Sequence, residues 1–310
     1  MKITSDVKKI LIVGSGVVGL ASGLGLLSKG FDVEFIDTSL SRLKQLKKNK
    51  LAAFTPNKIK RSLMNCQVIF ISVPTPNKEG KIYLDFLKQA VADVGEHLRL
   101  NSNYHTVVVR STVVPGTTED IIIPILERVS GKKVGKDFGV CMNPEYLREK
   151  SAEEDFKNPW VIVIGEYDKK SGDRLYEIYK KFNAPINRIT IKEAEIQKYV
   201  HNLFNATKIS FFNEFRQICE QLGLNSNSVF NLVTKSAEGI LNPKYGIKDL
   251  GPFDGSCLPK DTQAYLSWAQ VQGFSMPLLE ATIKVNKELQ KHNGSSREKY
   301  SPIKLAAEAP

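Results

Sequence analysis

The run Gly14-Ser15-Gly16-Val17-Val18-Gly19 constrains this chain more than any other feature, because of what stands on either side of it. Before it lies a short β-branched run, Lys8 to Val13 (KKILIV), and after it an apolar stretch, Val17 to Leu27, that reads as a helix stopped at Gly30. A second strand, Asp32 to Ile36, follows at once. Strand, helix and strand within about thirty residues make a βαβ unit, and its right-handed crossover sets the two strands parallel. In such a unit the first glycine makes the tight turn, the second lets a pyrophosphate approach the backbone, and the third lets helix pack on strand. The helix N-terminus then faces the anion. Asp37 ends the second strand, eighteen residues beyond Gly19, where a carboxylate accepts hydrogen bonds from ribose hydroxyls and repels a 2′-phosphate. The pattern predicts a dinucleotide site of Gly14, Gly16, Val17, Val18, Gly19 and Asp37 that takes NAD, with Arg42 nearby leaving NADP as the alternative.

The alternation continues. Strands are predicted at Val68 to Val73, Thr106 to Val109, Phe138 to Met142, Val161 to Ile164 and Arg188 to Ile191, and helices at Tyr83 to Leu98, Thr118 to Val129 and Ser171 to Phe182. This is the grammar of an α/β fold, a Rossmann-like doubly wound parallel sheet. It stops near residue 192. From Glu193 to Leu222 neither Gly nor Pro occurs, and Ile196, Val200, Leu203 and Phe211 recur near helical spacing, so a long central helix opens an all-helical part. Asn227 or Ser228 is a candidate cap for the next helix, Gly239 to Gly255 reads as a loop, and helices are expected at Asp261 to Val271 and Leu278 to Gln290. The expected domains are therefore 1–192 for the dinucleotide, 193–292 for the helical part, and a tail at 293–310 that reads as disordered.

No apolar run approaches the roughly 20 residues that cross a bilayer, and Met1 to Lys9 does not read as a signal peptide, so the expectation is a cytoplasmic chain with no membrane partner. The net charge of +11 favours anionic ligands, but the lysines are spread along the chain without a nucleic-acid-binding module. A small phosphorylated ligand, or a merely solvated basic surface, fits better than nucleic acid. Cys66, Cys141, Cys219 and Cys257 are scattered without metal-ligand spacing, so no metal and no disulfide framework is expected.

Cys66 and Cys219 sit where an inert buried thiol is the ordinary reading. Cys257 differs: Gly255-Ser256-Cys257-Leu258-Pro259-Lys260-Asp261 places it behind a glycine loop with charge close by, conditions that favour a reactive thiolate. Ser72-Val73-Pro74-Thr75-Pro76 and Arg110-Ser111-Thr112 each follow a strand, where a doubly wound sheet puts ligand-contacting loops, although plain turns would use the same residues. Lys198 and Asn202 stand four apart on the long helix; spacing alone reads them as a solvated face, and an ammonium beside an amide is also the furniture of an oxyanion site.

Taken in order, VGSGVVGL, SVPTP, RSTVVPGTTE, NPEYLREKSAEEDF, EAEIQKYVHNLFNATKISFFNEF and GPFDGSCLPKD resemble the UDP-glucose/GDP-mannose dehydrogenase family over about residues 8–290. The resemblance implies an NAD-dependent, four-electron oxidation of a nucleotide sugar, UDP-glucose being the expected one, to the uronic acid. It implies that Cys257 is the nucleophile, that Lys198 and Asn202 hold the oxyanion, that Asp261 and Thr112 serve the water, and that Glu145 and Glu149 are carboxylates of the same site. Val73, Pro74, Thr75, Ser111, Thr112, Glu149, Lys260 and Arg42 would join the glycine loop on the cofactor, and Tyr146, Leu147, Arg148, Tyr245, Phe253 and Gly255 would contact the substrate. His201, beside Asn202, is left as structural. Family members pair through the long helix, so a homodimer is expected. The chain departs from the family at Asp254, where a glycine is expected, and at Ser236 to Leu241, which lacks an arginine, and the third, C-terminal α/β domain usual in the family is not expected within these 310 residues. An NAD-binding homologue without turnover, acting through interactions, is the other reading.

Overall fold

The structure is a computed structural model that describes residues 7–58, 66–246, 252–255 and 257–292. Ser256 and the tail 293–310 lie outside the described residues. The chain divides into two compact units, Met1–Asn202 and Leu203–Pro310.

In the first unit the strands β1 (Lys9–Val13), β2 (Asp32–Ile36), β3 (Ala52–Phe54), β4 (Val68–Ile71), β7 (His105–Val109), β8 (Phe138–Met142), β9 (Ile162–Glu166) and β10 (Ile186–Thr190) form one sheet, ordered β10-β9-β8-β7-β4-β1-β2-β3 among the described residues. The two-residue strands β5 (Asn77–Lys78) and β6 (Lys81–Ile82) pair separately. Helices cover both faces. Leu11, Val13, Ile69, Ile71, Val107 and Val109 pack with Leu87, Val91, Val94 and Leu126, while Ile10, Ile12, Val33, Phe35, Phe70 and Val108 pack with Leu26, Leu43, Leu175 and Ile178. Alternate residues of each central strand thus feed opposite cores, which is why those strands read as unbroken apolar runs. Each such side chain contributes about 1.5–3 kcal/mol on leaving water.

The expected α/β class is the observed one, and the elements differ from expectation in several places. β8 and β9 run antiparallel, pairing Cys141 with Glu166 and Met142 with Gly165, in a sheet otherwise parallel; residue periodicity carries no strand direction. Helix Leu40–Lys48 and β3 were not expected, because LSRLKQLKK is lysine-rich and buries only Leu43 and Leu46. The helix expected from Thr118 starts as a wide turn, Thr118–Ile122, and becomes regular α-helix only at Ile123–Ser130, with Pro124 in its first turn.

His105 is fully buried in β7, its Nδ1 4.0 Å from the Cys66 sulfur. Burial pushes its imidazole down from 6.5 to about 4, with Lys132 and Arg174 adding to the effect. Between those values the unfolded chain takes up a proton that the folded chain refuses, so stability is lost as pH falls through this window. The loss is about 3 kcal/mol near its lower end. Urea midpoints at pH 7 and pH 4 for the wild type and His105→Leu measure it: the wild type is expected to lose more, and equal losses would refute this source.

The second unit is helical: the long helix Ile191–Gln221 runs into it, followed by Ser226–Ser236, Glu238–Leu241, Leu258–Val271 and Pro277–His292. The cap of Ser226–Ser236 is Asn225, whose side chain accepts from Ser228 N, rather than Asn227 or Ser228, and the expected loop at Gly239 begins inside a short helix. Ile218, Ala269 and Met276 form a small core flanked by Phe215, Tyr265 and Phe274. The Glu214 carboxylate accepts Leu278 N at 2.8 Å and so starts the last helix.

Candidate active site

A cleft of about 870 Å³ opens past the ends of β1, β2, β4 and β7, lined by the glycine loop, Asp37, Arg42, Val73-Pro74-Thr75, Ser111-Thr112 and Glu145. Crevices beyond the carboxyl ends of strands are where open α/β sheets take ligands. Gly14 has φ +89, and a Cβ there would lie 2.6 Å from the Ser72 carbonyl oxygen; a Cβ on Gly19 would lie 1.9 Å from the Gly14 oxygen. Gly16, by contrast, would meet nothing within 4 Å and leaves open space over the start of helix Val17–Ser28, which has no side-chain cap and no acidic residue in its first turn. Backbone N–H groups at that start are therefore available to an anion. Asp37 accepts Ser15 N (2.8 Å) and Ser15 Oγ (2.5 Å) on one oxygen and Ser39 N (2.8 Å) on the other, so its carboxylate is fixed by the loop it faces while acceptor capacity remains. Thr75 Oγ1 donates to the Thr112 carbonyl and Ser111 Oγ to the Val73 carbonyl, both at 2.7 Å, tying the two expected ligand loops side by side. The Arg42 guanidinium donates to Gln45 at 3.1 Å on the cleft wall. A dinucleotide fits this cradle.

Glu145 reaches the rim of the cleft from the turn after β8. Its Oε1 lies 2.9 Å from Lys198 Nζ, which also donates to the Glu145 carbonyl, while Oε2 accepts Leu147 N at 2.7 Å. Lys198 is only 4% exposed. The solvated face that spacing favoured is thus wrong for Lys198, because a carboxylate 53 residues away in sequence meets its charge out of water. Asn202, one turn on, is exposed. His201, left as structural by the sequence, lies against Tyr146, ring centroids 4.8 Å apart, and its imidazole is held below its usual range by burial and by Lys198. Burial pushes the Tyr146 hydroxyl up to about 12. Lys198→Met is expected to destabilise the first unit by about 3 kcal/mol, with most of it recovered by adding Glu145→Gln. Urea denaturation checks this, and a Lys198→Met protein as stable as wild type would refute a desolvated pair.

The two expected glutamates are not together. Glu149 lies on a groove of about 520 Å³ with Gly16, Val17 and Arg42, on the side of the glycine loop, whereas Glu145 lies on the cleft. Leu147 borders a smaller cavity of about 60 Å³. Arg148 is turned to the surface, paired with Asp155 at 2.6 Å and stacked 5.5 Å from the Trp160 ring.

Two further side chains in the first unit lie in segments that the sequence marked but received no individual role there. Arg110, 4% exposed, donates to Ser22 Oγ (2.9 Å), to Asn143 and to Tyr179 Oη (3.3 Å), and it borders both the cleft and the small cavity. Glu195, fully buried, accepts Gly116 N (2.6 Å) and Thr118 N (2.8 Å), and burial raises its carboxyl above the usual range. Neither advertises itself by spacing, since every partner comes from a distant segment.

Cys257, Lys260, Asp261, Tyr245, Phe253 and Gly255 belong to the second unit. Cys257 is exposed and occupies the cap position of helix Leu258–Val271, with Pro259 in the first turn. Cys66 and Cys219 are buried, as their inert reading requires, and so is Cys141; burial pushes the Cys66 thiol up to about 12 and the Cys141 thiol further. Lys260 pairs with Asp261 at 2.5 Å, so its ammonium is engaged within the helix start. Buried Asn286 clamps the Phe253 backbone, accepting its N–H at 2.7 Å and donating to its carbonyl at 3.0 Å. Gly255, two residues before the cysteine, has φ +91, and Asp254 and Tyr245 are exposed. Among the described residues no cluster of His, Cys, Asp and Glu is arranged to hold a metal, and no helix is long and apolar enough to cross a membrane.

Two family profiles match in sequence order: the UDP-glucose/GDP-mannose dehydrogenase NAD binding domain over residues 8–183, and the central domain of the same family over residues 192–288. The chain belongs to the UDP-glucose/GDP-mannose dehydrogenase family. It is 35% identical over 297 residues to the GDP-mannose 6-dehydrogenase of Pseudomonas aeruginosa, covering 90% of this chain and 68% of that protein. It is 33% identical to a UDP-glucose 6-dehydrogenase of Haloferax volcanii, over 90% of this chain and 69% of the relative. A crystal structure of a ternary complex of GDP-mannose dehydrogenase from Pseudomonas aeruginosa superimposes with TM-score 0.86 at 34% identity, over 91% of this chain and 69% of the other. Membership makes this family chain an oxidoreductase with NAD as its cofactor, and the glycine-loop cleft lies within the matched NAD binding domain.

Proposed function

We propose that this chain oxidises the C6 alcohol of a nucleotide sugar to the carboxylate through a covalent intermediate on Cys257. The observation that carries the reading is the desolvated Lys198, held by Glu145 at the rim of the NAD cleft, where the reaction needs a fixed cation for a developing oxyanion. GDP-mannose stands ahead of UDP-glucose as the sugar donor, because the structural match to a GDP-mannose dehydrogenase is the tighter, TM-score 0.86 against 0.71 for a UDP-glucose dehydrogenase from Pyrobaculum islandicum.

NAD⁺, when bound, supplies the hydride acceptor in each of two oxidations. Loss of a hydride and the hydroxyl proton turns the C6 alcohol into an aldehyde, and Cys257 Sγ adds to that carbon. The thiohemiacetal loses a second hydride and its hydroxyl proton, leaving a thioester. Water attacks the thioester carbon, the C–S bond breaks, and the sulfur leaves as thiolate with the carboxylate formed. Lys198 and Asn202 hold the oxyanion, a preorganised donor being worth about 2.7–4 kcal/mol. Glu145 orients Lys198, Thr112 and Asp261 position the water, and Glu149 and Lys260 serve the cofactor side. Tyr245, Phe253 and Gly255 contact the sugar nucleotide. A second copy of the chain is the partner that the exposed Leu203, Phe204, Ile209 and Phe211 on the long helix fit, giving a homodimer. The cytoplasm follows from the substrate class, NAD and sugar nucleotides being dissolved anionic metabolites.

The test is to incubate the protein with NAD⁺ and a panel of GDP- and UDP-sugars and count NADH formed per sugar consumed. Two per sugar supports the covalent route; one per sugar, or none with any donor, overturns it.

A further inference from the structure

Three residues of the long helix converge on one aromatic ring of the turn that carries Glu145. The Tyr146 hydroxyl donates to Gln197 Oε1, the His201 ring lies 4.8 Å from the Tyr146 ring at a tilt of 51°, and Lys198 Nζ sits 5.6 Å from its centroid. His201 lies four residues on from Gln197 and three on from Lys198, so on the helix surface it neighbours both. The ring also borders the cavity of about 60 Å³, together with Phe156, Trp160, Tyr179 and His201. Packed interiors resist displacement because every side chain meets neighbours, and a void removes that resistance on one side. A ring not otherwise held has room to settle toward the cavity, and the adjoining Glu145 moves with it.

We propose that Tyr146 is a positioning residue for Lys198: gripped by Gln197 and His201, it holds the turn from Asn143 to Leu147 on the helix so that Glu145 meets the ammonium. The turn is independently anchored at its start, where Asn143 N donates to the Val109 carbonyl at 2.9 Å and Asn143 Nδ2 to the Val163 carbonyl at 2.7 Å. Those bonds fix the Asn143 end to the sheet. The Tyr146 grip fixes the other end to the helix, and the ion pair spans the distance between them. A residue that merely fills space would do equally well as phenylalanine, because the ring and the cavity are unchanged by loss of the hydroxyl; a positioning residue would not.

The consequence for turnover rests on the function proposed above, but the grip itself does not, so the experiment has an arm for each. The wild-type chain, Tyr146→Phe, Gln197→Leu and the double variant are treated with an amine-acylating reagent, and modification of Lys198 is followed by mass spectrometry against exposed Lys208. One neutral hydrogen bond corresponds to about fivefold in the opening equilibrium. Each single variant is expected to acylate Lys198 about fivefold faster with Lys208 unchanged, and the double variant no faster than either single, since all three remove the same bond. Unchanged rates in the single variants, or effects that multiply in the double, overturn the proposal. In the kinetic arm Tyr146→Phe is expected to lower kcat for the sugar about fivefold and to shift its pH profile, with KM for NAD⁺ unmoved. Altered acylation with an unaltered kcat and pH profile refutes the role in turnover. Should the wild type oxidise no sugar, the function reading fails, while the acylation arm still decides the grip.

Discussion

Cys257→Ser is expected to reduce steady-state NADH formation at least about a thousandfold, because a nucleophile removed from a covalent route takes the whole second oxidation with it. A serine hydroxyl at this exposed cap position keeps the shape of the helix start but is a far weaker nucleophile near neutral pH. The first oxidation needs no sulfur, so the variant should release at most one NADH per active site in a burst and then stall with the aldehyde held in the site. Rapid-mixing absorbance separates the two phases, and an unchanged steady-state rate would sink the assignment of Cys257. The buried cysteines make poor substitutes, being removed from reagents by the cores they help fill.

Gly19→Ala is expected to destabilise the first unit by about 3 kcal/mol and to weaken NAD⁺ binding at least about a hundredfold. A methyl 1.9 Å from the Gly14 carbonyl oxygen cannot be accommodated by a rotamer change, since the obstacle is backbone. Either the helix Val17–Ser28 withdraws from β1 or the turn at Gly14 opens, and Gly14 is itself confined by Ser72 at φ +89. Both responses move the N–H groups that face the anion. Titration of NAD⁺ by calorimetry alongside urea unfolding measures the two losses; retained affinity with lowered stability would show that the helix start is not the pyrophosphate site.

The parts legible in the sequence are those whose cause is local. Strands Asp32–Ile36 and Phe138–Met142 stand at the bounds that their sequence predicts, and the glycine cradle was readable because its demands fall within six backbone positions, Gly14 to Gly19. Helix Leu40–Lys48 was hidden by its lysines, since two buried leucines suffice to dock it. The reversed direction of β9 leaves no trace in side-chain alternation. In the site, the nature of Lys198 could not be read from the helix that carries it, because Glu145 and Tyr146 arrive from beyond β8; the same separation concealed His201 and Glu195. Spacing within an element predicts which residues are neighbours there, and says little about what the rest of the fold brings to them.

Glu195 and Lys198 stand within one turn of each other near the start of the long helix, yet they hold segments that follow two different strands: Glu195 the turn at Gly116 and Thr118 beyond β7, Lys198 the turn at Glu145 beyond β8. The opening turns of that helix therefore work as a common bracket. A slip of one residue along the axis, about 1.5 Å, would displace both anchors together. The loop carrying Thr112 and the turn carrying Glu145 are thus mechanically in register, and insertions or deletions between Thr190 and Glu195 should register on two walls of the NAD cleft at once.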